Sequence, residues 1–396
     1  MKSNRWLLPE GIDEVLPEQA WQLESMRRQL VDLYQSWGYD LVMPPFIEYL
    51  DSLLVANGHD LELQTFTLTD QLSGRQLGIR ADMTPQVARI DAHHLTGNAP
   101  SRLCYLGTVL HSRPDGFAGS RSLLQVGAEL YGHAGVDSDL EVLRLMLETL
   151  KLTNIDNIHL DLGHVGIYRS LVQQAGLSSA QEKIFNDVMQ RKAKPELQQL
   201  LAEWSLKESH VQMLTALVDL HGGREVLQDA AIQLTAADDH VKQALADLEK
   251  IATELKLLMP ELNIHFDLAE LRGYSYHTGV VFEVYVPGKG KAIAQGGRYD
   301  GIGADFGESR PATGFSTDLR TLLVLNNQNE IHKDSIFAPC NVSGDAALTL
   351  LETIKQLRQA GERVVSCLAG QESTANDMKC KRQLIQSEKG WQVKPV

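Results

Sequence analysis

The residues best suited to chemistry in this chain of 396 residues fall in four short stretches. ELRGYSYHTGVVFEVY (270–285) gathers Arg272, Tyr274, Tyr276, His277 and Glu283 around two glycines, just ahead of a β-branched run. GGRYDGIG (296–303) has two glycines that let backbone approach a ligand closely, and Tyr299 adds a hydroxyl. RADMTP (80–85) sets Asp82 and Thr84 at a helix entrance. GTVLHSRPDGFAGSRSLLQVGAELY (107–131) is two apolar runs around a turn of Pro, Asp, Gly, Ala and Ser. Together these residue types suit recognition of a small polar molecule: a guanidinium meets a carboxylate bidentately, and aromatic or imidazole groups contact a ligand ring. Each stretch also has a plainer reading, as a turn into a core strand, a flexible turn or a capped helix.

Signatures of phosphate-loop, zinc or serine-hydrolase chemistry are missing: the chain has no GxxxxGK[ST], no HExxH and no GxSxG. His93 and His94 stand near Asp91, but neighbouring helical residues point to different faces, so they read as solvated or structural rather than as metal ligands. The formal charge is −14, from 37 basic and 51 acidic residues, with no dense Lys/Arg cluster, which weighs against nucleic acid as a partner. No apolar run approaches the ~20 residues of a membrane span. Cys104, Cys340, Cys367 and Cys380 are far apart and form no CxxC, and MKSNRWLLPEG lacks the apolar segment of a signal peptide, so a reducing, cytoplasmic setting is expected.

The elements that must position these residues follow from periodicity. A helix runs from Leu16-Pro17-Glu18 through Leu23, Met26, Leu30, Leu33 and Trp37 to Gly38, and 39–43 and 75–80 read as strands. Thr84-Pro85 is a helix start with Thr as cap and Pro at the first helical position. Two hairpin strands span about 101–111 and 121–131, a capped amphipathic helix 136–152, and a strand 158–164. Residues 165–262 have an almost unbroken helical texture. Strands return at 263–271, 280–286 and 291–297, and a helix is expected from near Pro311 to about 325. After a linker at 325–334 the tail alternates strand (335–340), helix (344–360) and strand (363–368) before a last stretch to 396. Adjacent strands joined by turns, with helices grouped elsewhere, predict an α+β fold with a mostly antiparallel sheet. Two domains are expected, 1–325 with its helical insertion and 335–396.

Taken in order, the motifs resemble the class II aminoacyl-tRNA synthetase core, and histidyl-tRNA synthetase in particular, over roughly residues 8 to 325. VLPEQAWQLESMRRQLVDLYQSWGYDLVMPPFIEY resembles the first class motif, LGIRADMTPQVARI the LxLRPEGT segment, LRGYSYHTGVVFE the LVRGLDYYTGTVFE element, and QGGRYDGI the GGRYDGL element. The hairpin at 107–131 falls on the second class motif, and GFSTDLRT (314–321) on the third, GFAMGLER. In both, the catalytic letters differ. His111 stands where the family has the arginine that grips the ATP α-phosphate, Arg113 where it has an acid, Gly119 where it has a loop arginine, and Thr321 where it has the second ATP-binding arginine. Adenylation depends on electrostatic clamping of the phosphate, so these replacements imply lost catalysis.

The amino-acid side of the site is retained. The resemblance implies that Asp82 (family Glu) and Thr84 hold a ligand α-amino group with Gln125 nearby. Arg272 meets the carboxylate, and Glu129, Tyr276, His277 (family Tyr) and Tyr299 surround an imidazole. The tail is shorter than the family's anticodon-binding domain and reads as a truncated βαβ-like remnant. These features together are similar to the regulatory subunits of ATP phosphoribosyltransferase. That resemblance implies a non-catalytic subunit that activates a short catalytic partner in the first step of histidine biosynthesis and reports histidine to it. It also implies self-dimerisation through about 8–50, assembly in a hetero-oligomer, and no cofactor and no tRNA. Two other readings stay open at this stage: a divergent histidyl-tRNA synthetase or histidine-adenylating enzyme, and a histidine-binding or tRNA-sensing module with another partner.

Overall fold

The computed structural model describes residues 7–54, 58–95, 97, 99–114, 119–270, 273–274, 276–302, 309–326, 334–368, 370 and 374–396. The chain forms two compact units, Met1–Asn327 and Gln328–Val396.

The larger unit is built on a nine-stranded sheet. Its first helix, α1 (Pro17–Ser36), buries Leu23, Met26, Leu30 and Tyr34 on one stripe. Then come β1 (Asp40–Leu41), β2 (Ile47–Tyr49), α2 (Leu50–Leu54), α3 (Gly58–Gln64), β3 (Phe66–Thr69) and β4 (Gln76–Ile79). Strands β2, β4 and β3 form a separate antiparallel sheet in that order. Helix α4 (Thr84–His94) leads to the long hairpin β5 (Ser101–Leu110) and β6 (Ser122–Tyr131), in register from Ser101 opposite Tyr131 to Leu110 opposite Ser122. Helix α5 (Val136–Leu152) and β7 (His159–His164) follow. The stretch after β7 is helical as its texture predicts: α6 (Val165–Ala175), α7 (Ser179–Gln190), α8 (Lys194–Glu203), α9 (Glu208–Ala216), the two-residue strand β8 (His221–Gly222), α10 (Glu225–Gln233) and α11 (Asp239–Leu258). The unit closes with β9 (Asn263–Asp267), β10 (Val280–Tyr285), β11 (Ala294–Arg298), β12 (Ala312–Asp318) and α12 (Leu319–Leu325). The sheet order is β1-β5-β6-β12-β11-β10-β7-β9-β8, with only β1/β5 and β7/β9 parallel.

Side-chain alternation gives the sheet two different faces. Val126, Ala128 and Leu130 of β6 point into the main core beneath α1 and α5, while Tyr131 joins Met83, Val87, Leu103, Tyr105 and Tyr299 under α4 on the opposite face. Glu129 shares that second face, which is why a charged residue sits in the middle of a buried strand.

Three local expectations are corrected. Residues 312–318 form a strand, not the start of a helix at Pro311: they pair on both sides, with β6 and β11, and the helix begins only after Asp318, whose carboxylate accepts from the amides of Arg320 and Thr321. Thr84 does not cap α4; Met83 holds that position, and the Thr84 hydroxyl is spent elsewhere. Helix α5 has Gly135 at its N-cap position and so no side-chain cap.

The smaller unit contains β13 (Ile336–Ala338), α13 (Asp345–Gln359), β14 (Val364–Ser366), β15 (Arg382–Ser387) and β16 (Gly390–Pro395), in sheet order β14-β13-β15-β16. Strand β13 runs parallel to both neighbours, and β15 and β16 form a hairpin. Ile336, Ala338, Leu350, Ile354, Val364 and Leu384 fill its core. Cys340 and Cys367 form a disulfide, a pairing that the wide spacing of the four cysteines and the expected reducing setting did not point to. Their 27-residue separation hid the pairing, because α13 folds β14 back alongside β13 and brings the residues after each strand to a Cα separation of 5.0 Å.

Candidate functional site

The second face of the sheet holds a cavity of about 360 Å³, within the range of small-molecule sites. Asp82, Thr84, Glu129, Tyr276, His277 and Tyr299 all line it, drawn from the α4 entrance, β6, the segment before β10 and the end of β11. Gln125 does not line it but bonds Asp82, which does, and Arg272 lies outside the described residues.

Glu129 is the centre. It is 1% exposed, and three hydroxyls converge on it: Tyr105 donates to Oε1 at 2.9 Å, Thr84 to Oε1 at 3.1 Å, and Tyr299 to Oε2. Burial raises the Glu129 carboxyl from its ordinary value to about 8, against the pull of the Tyr299 and Tyr105 hydrogen bonds. The cage fits because Gly314 lies directly opposite Glu129 on β12. A Cβ at Gly314 would stand 1.5 Å from Glu129 Oε2, so no other residue leaves room for the carboxylate.

The α4 entrance is fastened to the hairpin by amide chemistry. Gln125 Nε2 donates to Asp82 Oδ1 at 2.7 Å, and Gln125 Oε1 accepts from the Met83 amide at 2.9 Å. Asp82 Oδ1 also accepts from the Thr84 amide at 3.1 Å, a local turn that relieves Thr84 of capping and frees its hydroxyl for Glu129. The aromatic side is a stack: Tyr276 lies over Tyr299 at 4.9 Å and meets His277 edge-on at 5.1 Å. Burial lowers His277 to about 4, so its ring is neutral near pH 7. His277 Nδ1 lies 3.3 Å from the Arg298 carbonyl, which only accepts, so the neutral ring carries its proton on Nδ1. Among the described residues the buried Tyr276 hydroxyl has no hydrogen-bond partner, although burying one unpaired is costly.

Not every residue of the 270–285 stretch serves this cavity. Tyr274 turns toward the helices, where its hydroxyl bonds Glu182 and its ring meets Tyr168. Glu283 does line the cavity, and Tyr285 donates to it. Tyr105 is a site residue that the motifs missed; within SRLCYLGTVL it looks like one more core position, and only its i,i+2 alternation with Leu103 hints at the face it occupies.

A neighbouring cavity of about 630 Å³ is lined by His111, Gly119, Gln125, Lys289, Lys291 and Thr321, among others, and shares Asp82 and Gln295 with the first. Of its three diverged positions, His111 and Thr321 are turned onto the protein itself. His111 Nε2 lies 3.0 Å from the Ala81 carbonyl, and the Thr321 hydroxyl donates to Asp318 at 2.8 Å. Arg113 is exposed at the hairpin turn.

Known proteins resemble the chain at three levels. A family profile described as histidyl-tRNA synthetase matches residues 11–322, and one described as ATP phosphoribosyltransferase subunit HisZ C-terminal domain matches 333–394. Among curated relatives, an ATP phosphoribosyltransferase regulatory subunit from Thioalkalivibrio sulfidiphilus is 56% identical over 98% of this chain and 97% of its own. One of the same description from Alkalilimnicola ehrlichii is 53% identical over 100% and 98%. Among solved structures, an ATP phosphoribosyltransferase regulatory subunit/histidyl-tRNA synthetase from Bacillus halodurans superposes with a TM-score of 0.82 at 28% identity, covering 95% of this chain and 96% of that one. A histidyl-tRNA synthetase from Nostoc superposes at 0.80 with 20% identity over 99% and 95%, which speaks for the fold alone. The matched relatives span both units, and the chain belongs to the ATP phosphoribosyltransferase regulatory subunit family, built on the class II histidyl-tRNA synthetase fold.

Proposed function

We propose that the chain is a non-catalytic, histidine-sensing subunit that activates a short catalytic ATP phosphoribosyltransferase in the cytoplasm and transmits feedback by histidine. The observation that carries the reading is the buried Glu129 carboxyl caged by hydroxyls, in a cavity that also holds the unpartnered Tyr276 hydroxyl and the neutral His277 ring. An acid with fixed donors beside an unused hydroxyl suits the two ring nitrogens of an imidazole, and a wrong ligand would leave these groups unpaired. In this reading Glu129, Tyr276, His277 and Tyr299 contact the ring, Asp82 and Thr84 with Gln125 meet the α-amino group, and Arg272 meets the carboxylate.

Absence of catalysis is supported by the inward bonds of His111 and Thr321, which supply no charge to a phosphate where the class enzymes use arginine. Self-association through 8–50 is supported by the exposed apolar side chains of Leu16, Trp21, Leu41, Met43, Phe46 and Ile47. The acidic total weighs against tRNA as a partner, and a gel shift yielding a salt-sensitive tRNA complex would contradict that part.

Calorimetry tests the pocket. Glu129→Ala and Arg272→Ala should each weaken histidine binding by about 2 kcal/mol or more, since each leaves a buried polar partner unpaired. Normal binding by either variant would show that the pocket is wrongly assigned.

A further inference from the structure

GGRYD sends two consecutive side chains to opposite faces of the sheet. Tyr299 enters the cavity and donates to Glu129, whereas Arg298 turns away and is buried at 6% exposure against the start of α5. There its guanidinium lies 3.0 Å from Asp139 Oδ1 and 3.1 Å from Oδ2, and Asp139 is itself 2% exposed. It also donates to Ser138 Oγ at 2.8 Å, to the carbonyls of His133 and Gly135 at 3.1 Å, and to Asp300 at 3.2 Å. The backbone of the same residue faces the ligand side: its carbonyl receives the Thr278 amide at 2.7 Å and lies 3.3 Å from His277 Nδ1. Gly279 lies against its side chain, where a Cβ would come within 2.8 Å of Arg298 Cδ.

A fully buried ion pair is weak as a source of stability, because desolvating both charges offsets their attraction. What it supplies instead is direction, since a planar guanidinium with this many fixed acceptors has one orientation. Resting on the histidine reading above, the geometry points to the Arg298–Asp139 pair as a positioning device: it fixes the backbone at 297–299 so that Tyr299 and His277 face the ligand ring in one geometry, and thereby sets ring selectivity.

The test uses Asp139→Asn and Arg298→Lys in the full chain, with Asp91→Asn as a matched control. Asp91 pairs with Arg310 at 3.0 Å and is 3% exposed, a comparable though slightly less buried pair that holds α4 to Arg310 and Ser101 and, among the described residues, makes no hydrogen bond to Tyr276, His277 or Tyr299. Three quantities are read: the thermal midpoint, the titration of the His277 ring by 13C NMR, and the ratio of affinities for L-histidine and β-(2-thienyl)alanine, which has a similar shape but no ring N–H. All three variants should lower the midpoint. Only Asp139→Asn and Arg298→Lys should shift the His277 titration away from about 4, because they disturb the Arg298 carbonyl that its ring bonds, and they should cut the preference for histidine at least tenfold. Arg169, whose charge also disfavours the protonated His277 ring, is intact in every variant. The proposal fails if the two variants lose stability as the control does while the His277 titration stays put. If the wild-type chain binds no histidine and His277 still moves, positioning stands and the histidine reading falls.

Discussion

Glu129 sits where ionisation is expensive, and this has a consequence for stability. Its folded value is about 8 against an ordinary 4.5, so between those pH values the folded chain holds a proton that the unfolded chain has lost. The contribution is therefore fully present below about pH 4.5 and lost as pH rises through 8. His277 runs the other way: its folded value is about 4 against 6.5, the unfolded chain binds the extra proton between them, and stability is lost as pH falls through that window. His164, also lowered to about 4 by burial, adds to the same limb. Glu129→Gln should flatten the fall in stability between pH 6.5 and 8, and His277→Gln should reduce, without abolishing, the fall between 6.5 and 4. Denaturant melts across pH measure both. An unchanged alkaline limb in Glu129→Gln would mean that the carboxylate is ionised and content in its hydroxyl cage. At this scale the residue types themselves singled out Tyr276 and His277 ahead of a core strand, whereas Glu129 was reached only through the resemblance of the hairpin to the second class motif. The sequence was silent on Tyr105 and on the supporting pair Arg298–Asp139, whose roles depend on partners 24 and 159 residues away.

The hairpin β5–β6 and the strand β12 carry the site because their register sets Glu129 opposite Leu103 on one side and Gly314 on the other. A methyl group at Gly314 has nowhere to go except into the carboxylate. Gly314→Ala should therefore cost about 1–3 kcal/mol in stability and lower histidine affinity by expelling Glu129 from its hydroxyls. Thermal unfolding and calorimetry on the same sample check this, and wild-type affinity in a folded Gly314→Ala chain would show that the cage is not part of the site. Helix α1, the hairpin, α5 and the helices after β7 were legible because their periodicities are long and unbroken. Strand β12 was not: ATGFSTD has no alternation of polar and apolar residues, since both its faces are covered, and Pro311 just ahead of it imitates a helix start. Thr84 misled in the same way, because a Thr-Pro helix entrance looks identical whether the hydroxyl caps the helix or serves a ligand site.

At the scale of the whole molecule, fold and family were legible because the order of the motifs along the chain is more specific than any one of them. The disulfide Cys340–Cys367 was not legible, since parallel pairing across a helix leaves no trace in cysteine spacing. The exposed apolar side chains within 16–47 predict self-association. Met43, at 79% exposure, contributes nothing to the core of its own chain. Met43→Asp should therefore leave the thermal unfolding of the fold unchanged and shift sedimentation toward the monomer; an unshifted boundary would move the interface elsewhere. Regulation adds a stricter requirement, because histidine can bias the assembly only if it binds the active and less active states with different affinity. The most direct measurement is the rate of phosphoribosyl-ATP formation by the short catalytic subunit from the same source, with and without this chain, across a histidine titration. The account predicts stimulation by the chain that histidine then suppresses, with suppression lost in Glu129→Ala. A rate that the chain leaves unchanged at every histidine concentration, with the two proteins eluting separately, would contradict it.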